Sequence, residues 1–147
     1  MKDFFAAIYE IFIAIYGNDL ASHLYGYDCE NIPGDGLYGK VGLLLFIFTL
    51  ILVLAYYFKF VHPGNNKWHQ LWLRLLLLNA IIHFLIGFGL AYKDLVANAI
   101  CQNFIVNVDN TVFFGIVNAI CAILLFFIFS NIFRWVSTHG RLTPYPK

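Results

Sequence analysis

The chain has 147 residues, 61% hydrophobic and 12% charged, with a formal net charge of +1 and a mean hydropathy of +0.76. Soluble domains carry about a quarter charged residues, and a chain this short and apolar cannot bury its surface in one water-facing core, so lipid is the expected solvent. The near-neutral charge and the lack of a basic stripe interleaved with aromatics argue against a nucleic-acid partner. No zinc-type Cys/His spacing, phosphate loop, nucleophile elbow or paired-carboxylate motif occurs, so no catalytic role and no cofactor is expected.

The first candidate element, over 3–24, is FFAAIYEIFIAIYGNDLASHLYG from Phe4 onward. It is apolar but holds Glu10, and it reads as a signal peptide, an interfacial helix or a span. The signal reading is weak, because Lys2 is offset by Asp3 and no small-residue cleavage site follows. The second element, 40–59, contains the uncharged run Val41–Phe58. A turn follows in HPGNNKWHQ, marked by its Pro-Gly and Asn-Asn pairs. His62 and His69 flank that turn, and without a third ligand they are read as polar loop residues, so no metal site is expected.

The third element, 70–92, includes NAIIHFLIGFGLAY, with no charge between Leu75 and Tyr92 if His83 is neutral. The fourth, 111–134, is uncharged from Asn110 to Phe133, and a short basic tail occupies 135–147. Each uncharged run has about the length needed to cross a hydrocarbon core of ~30 Å at 1.5 Å per residue. The runs do not alternate in polarity as barrel strands would.

Charge placement orients the chain. Lys59, Lys67 and Arg74 flank the turn, and Arg134, Arg141 and Lys147 mark the tail, whereas 18–39 carries Asp19, Asp28, Glu30 and Asp35 without Lys or Arg. The basic segments are expected in the cytoplasm. A spanning first helix then predicts an all-α, integral-membrane four-helix bundle with both termini inside. Trp68, Trp72 and Trp135 fall at the predicted cytoplasmic boundary, where aromatic anchors belong. Cys29 and Cys101 lie in the two predicted outer loops and Cys121 inside the last helix, so a Cys29–Cys101 disulfide is expected, with two free thiols as the alternative.

Helical spacing places the polar groups. Asn79, Ala80, His83, Gly87 and Ala91 form one stripe of the third helix, and Thr111, Gly115, Asn118, Ala119 and Ala122 one stripe of the fourth. Gly42, Thr49 and Tyr56 do so more weakly in the second helix. Ala7, Glu10, Ala14, Gly17 and Ala21 share a face of the first. Small residues admit close backbones and polar groups bond across them, so each stripe is a predicted packing face. The spacing is compatible with a Glu10–Asn79–His83 cluster, since a carboxylate in the span costs ~2.5–3.5 kcal/mol and seeks a partner. These groups either fasten the bundle or line an ion path.

The segment LVANAICQNFIVNVDNTVFFG, from Leu95, is too apolar for an ordinary exposed loop. It reads as an amphipathic surface helix or as a re-entrant mouth, with Asn107, Asp109, Asn110 and Thr111 offering oxygen ligands. One bundle of four short helices leaves little room for its own water path. The leading functional expectation is therefore an oligomeric ion channel or pore in the cell membrane, built from copies of this chain. Glu10, Thr49, Asn79, His83 and Asn118 would be its intramembrane polar residues. The alternative is a non-catalytic assembly subunit of a larger membrane complex. A cytoplasmic partner would meet the basic loop and tail. In size and architecture the chain resembles small membrane effectors of bacterial antiphage systems, gated by a partner or signal, although no motif carries that likeness.

Overall fold

The computed structural model describes residues 2–27, 34, 36–60, 68–101 and 103–136, and these form helices joined by turns and irregular links. Among the described residues, three helices are long and apolar enough to cross a bilayer. They are α4 (Leu37–Ala55), α5 (Trp68–Val96) and α6 (Val108–Val136). A π-helical turn, Tyr56–Phe60, ends α4. With 29 residues each, α5 and α6 extend about 44 Å, the thickness of a bilayer with its headgroups.

Leu, Ile and Phe outside the polar stripes remain exposed on these helices, among them Leu44, Ile51, Leu77, Ile81, Leu85, Leu124 and Ile128. Such a belt has no counterpart on a soluble protein, where contiguous apolar patches this large are rare. It matches a molecule whose outer solvent is acyl chains. The expected stripes are the packing faces. Gly42, Thr49 and Tyr56 are buried in and just beyond α4, Asn79, His83, Gly87 and Ala91 in α5, and Thr111, Gly115, Asn118 and Ala122 in α6. A Cβ added at Gly87 would come within 2.9 Å of the Asn118 Cβ. The small residue is what lets α5 and α6 close on each other.

The amino-terminal segment differs from the single helix expected over 3–24. It is three short pieces, α1 (Lys2–Glu10), α2 (Ile13–Tyr16) and α3 (Asn18–Tyr25). Its Ile-rich middle favours helix only weakly, because β-branched side chains lose rotamer freedom there. Gly17 breaks it outright, at φ +94°, a conformation that other residues rarely adopt. The chain then folds back. The hydroxyl of Tyr25 donates to Asp3 Oδ1 at 2.9 Å, so the two ends of the segment lie within two side-chain lengths of each other. A second left-handed glycine, Gly26, ends α3, where a Cβ would meet the Gly36 backbone nitrogen at 2.6 Å.

The buried face of this segment is also the opposite of the one expected. Phe5, Ala6, Tyr9, Tyr16, Leu20 and Leu24 are buried, while Ala7, Glu10 and Ala14 are exposed. Of the expected stripe, only Ala21 is fully inside. Aromatic rings bury more area and bring their own hydroxyls, and here they displace the small-residue face. Tyr9 stacks on Tyr38 of α4 with ring centres 5.3 Å apart, and Phe114 of α6 packs against Tyr9 and Tyr16. One apolar cluster thus joins α1–α3 to the beginnings of α4 and α6. A second, around Val53, Tyr56, Leu76 and Phe126, closes the other end of the bundle.

Candidate functional site

A broken helix leaves backbone groups without their helical partners, and buried side chains satisfy them here. The carbonyl of Tyr9 accepts the Tyr16 hydroxyl at 3.0 Å. The carbonyl of Tyr16, released by the break at Gly17, accepts Asn110 Nδ2 at 2.8 Å. The Tyr16 and Tyr38 hydroxyls are 2.6 Å apart. The tyrosines are therefore part of the wiring as well as the packing.

Asn118 is the hub. Its Oδ1 accepts the Tyr9 hydroxyl at 2.5 Å, and its Nδ2 donates to the His83 carbonyl at 2.6 Å. One amide therefore ties α1 to α5 through α6. Below it, Asn79 Nδ2 donates to the Ala122 carbonyl at 3.2 Å. Thr49 Oγ1 donates to Asn79 Oδ1 at 3.3 Å and lies 3.5 Å from His83 Nε2. A hydroxyl has one proton. With that proton spent on Asn79, Thr49 accepts from a protonated Nε2, and His83 Nδ1 is left as a bare acceptor. That nitrogen is the one buried side-chain polar atom without a partner among the described residues. Under-satisfied acceptors cost less than orphaned donors.

Four residues singled out by spacing, Thr49, Asn79, His83 and Asn118, are thus brought together, each at 0% exposure. Glu10 is not with them. It sits on the exposed face of α1, so the expected Glu10–Asn79–His83 cluster does not form. The position is taken by Tyr9, one residue earlier, which sequence spacing did not single out. The signal that could have found it is the run of Tyr9, Tyr16 and Tyr38, whose hydroxyls need partners once buried.

The residues expected at a pore mouth sit at the start of α6. Asn107 and Asp109 are exposed. Asn110 Oδ1 accepts the Asn107 backbone N–H at 3.0 Å, and Thr111 donates to the Val108 carbonyl at 2.6 Å. They brace the first turn of the helix. The preceding link forms no amphipathic helix among its described residues. It is tied down instead, with the Ile105 N–H donating to Asp19 Oδ2 at 3.1 Å. At the same end His23 Nε2 and Asp94 Oδ2 approach to 3.1 Å, joining α3 to the last turn of α5. With the bonds of Tyr9 to Asn118, Tyr16 to Tyr38 and the Tyr16 carbonyl to Asn110, these contacts hold the folded-back segment to the bundle.

Cys121 is a buried free thiol, and Cys101 is buried in the link before α6. Cys29, His62 and the tail from 137 lie outside the described residues. No group of three metal-ligating side chains occurs among the described residues. No known protein family, curated protein or solved structure matches this chain.

Proposed function

We propose that the chain is a non-catalytic three-span membrane subunit that acts by lateral association in the bilayer. One observation carries this reading. The intramembrane polar groups are used on one another, with Asn118 bonded to both Tyr9 and His83. Among the described residues, His83 Nδ1 is the one buried side-chain polar atom of the network that this bonding leaves over. The exposed apolar belt on α4, α5 and α6 offers the surface on which lipids, further copies or other subunits would pack. The basic loop and tail offer the site for a cytoplasmic partner.

The orientation that fits is amino terminus outside and carboxy terminus inside the cell membrane. Lys59 and Lys67, ahead of α5, and Arg74, in the second turn of α5, then stay at the cytoplasmic side, as the positive-inside rule requires. The Asp3–Tyr25 bond supports an amino-terminal segment that begins and ends on one side, in place of a fourth span. A Cys29–Cys101 disulfide would sit on that oxidising side.

A second reading, a homo-oligomeric channel, draws support from Asp109 and Asn107, exposed at the outer end of α6. In a ring of copies these would supply a cation-attracting mouth. One measurement tests the orientation and a second separates the readings. Protease protection of epitopes at both termini should place them on opposite sides of the membrane. Planar-bilayer recording of the purified protein should be silent, and steady currents from a defined oligomer would replace the first reading with the second.

A further inference from the structure

A pocket of about 580 Å³ opens at the end of the bundle where α4 begins and α5 finishes. Lys40 from α4, Lys93 from α5 and His23 from α3 line it. Both lysines are exposed, and neither has an ion-pair partner among the described residues. Among the described residues, the one carboxylate in the wall, Asp94, is engaged by His23. Lys40 lies in the first turn of α4, and Lys93 lies near the end of α5, so both stand at the level of the headgroups. These lysines come from helices far apart in sequence, and the fold points them into one cavity. Leu37 and Leu90 add apolar wall beside them. A cationic site with an apolar flank at the lipid–water boundary matches the chemistry of a phospholipid phosphate with its glycerol and first acyl carbons.

We propose that this pocket binds a phosphate group, presented by an anionic phospholipid. The two ammonium groups supply the charge and the leucines receive the upper part of the chains. The placement at headgroup depth rests on the membrane reading above, but binding itself is measurable in detergent, where orientation plays no part. The site would therefore fail separately from the topology.

The test is titration of the full-length protein in detergent with phosphatidylglycerol and, separately, with phosphatidylcholine, read by native mass spectrometry. Wild type should retain phosphatidylglycerol preferentially. The double variant Lys40→Gln, Lys93→Gln should lose that preference. The charge-conserving pair Lys40→Arg, Lys93→Arg should keep binding, which separates charge loss from misfolding. Competition with inorganic phosphate distinguishes the sources. Displacement at low millimolar concentration identifies a free-anion site, and resistance identifies the lipid headgroup. No preference for phosphatidylglycerol in wild type, or equal retention by a folded glutamine variant, would overturn the proposal.

Discussion

The hydrogen bond from Tyr9 to Asn118 joins the folded-back segment to the last span, and a double-mutant cycle measures it. Tyr9→Phe removes the donor and keeps the ring that stacks on Tyr38. Asn118→Leu removes the acceptor and also breaks the bond to the His83 carbonyl. The cycle cancels that second loss, because it occurs with either residue at position 9. Interhelical hydrogen bonds in membrane proteins couple by about 0.6 kcal/mol on average and up to about 1.7. The bond is short and both partners are fully enclosed, so the upper half of that range is expected. A coupling of about 1.7 kcal/mol is close to a 20-fold change in the folding equilibrium. Reversible unfolding in mixed micelles, followed by tryptophan fluorescence, reads all four corners of the cycle. Tyr9→Phe alone should destabilise, because it leaves Asn118 Oδ1 buried without its donor. A coupling indistinguishable from zero would mean that α1 does not dock on α6, and the account of the amino-terminal segment would fall with it.

Two further outcomes follow from the same geometry. Glu10→Gln should change stability by less than about 0.5 kcal/mol, as expected for an exposed position. A marked stabilisation would instead reveal a carboxylate buried at a cost of ~2.5–3.5 kcal/mol. For Tyr25, the hydrogen bond to Asp3 raises the phenol above its ordinary 10.0, since the bond exists only while the hydroxyl keeps its proton. The stabilising effect is therefore complete below pH 10 and is lost as pH climbs through the raised folded value. Ultraviolet difference titration of wild type against Asp3→Asn should show one tyrosine ionising earlier in the variant, and superimposable curves would contradict the bond.

Helical periodicity located the polar face of every long helix. Asn79, His83 and Asn118 recur with glycine and alanine at steps of three and four, and in lipid such residues have nowhere to go but a neighbouring helix. The same rule misread the first segment. Its small residues and Glu10 also share a face, but that rule presumes a continuous helix. Gly17 ends the continuity, and past that point a helical wheel no longer says what lies beside what. Tyr9 then prevailed over Glu10 because a ring with a hydroxyl could fill the space between α4 and α6 and also meet Asn118.

Composition and run length by themselves determined an all-helical chain with three helices apolar and long enough for a bilayer, because such runs announce themselves by length and lack of charge, but they also led to the expectation of a fourth span. The tertiary structure alone decided that the amino-terminal stretch turns back on itself, since its course depends on the carbonyls of Tyr9 and Tyr16 finding donors at Tyr16 and Asn110. The second of those partners is nearly a hundred residues away. No local pattern encodes such a pairing, which exists only once α6 stands beside α2.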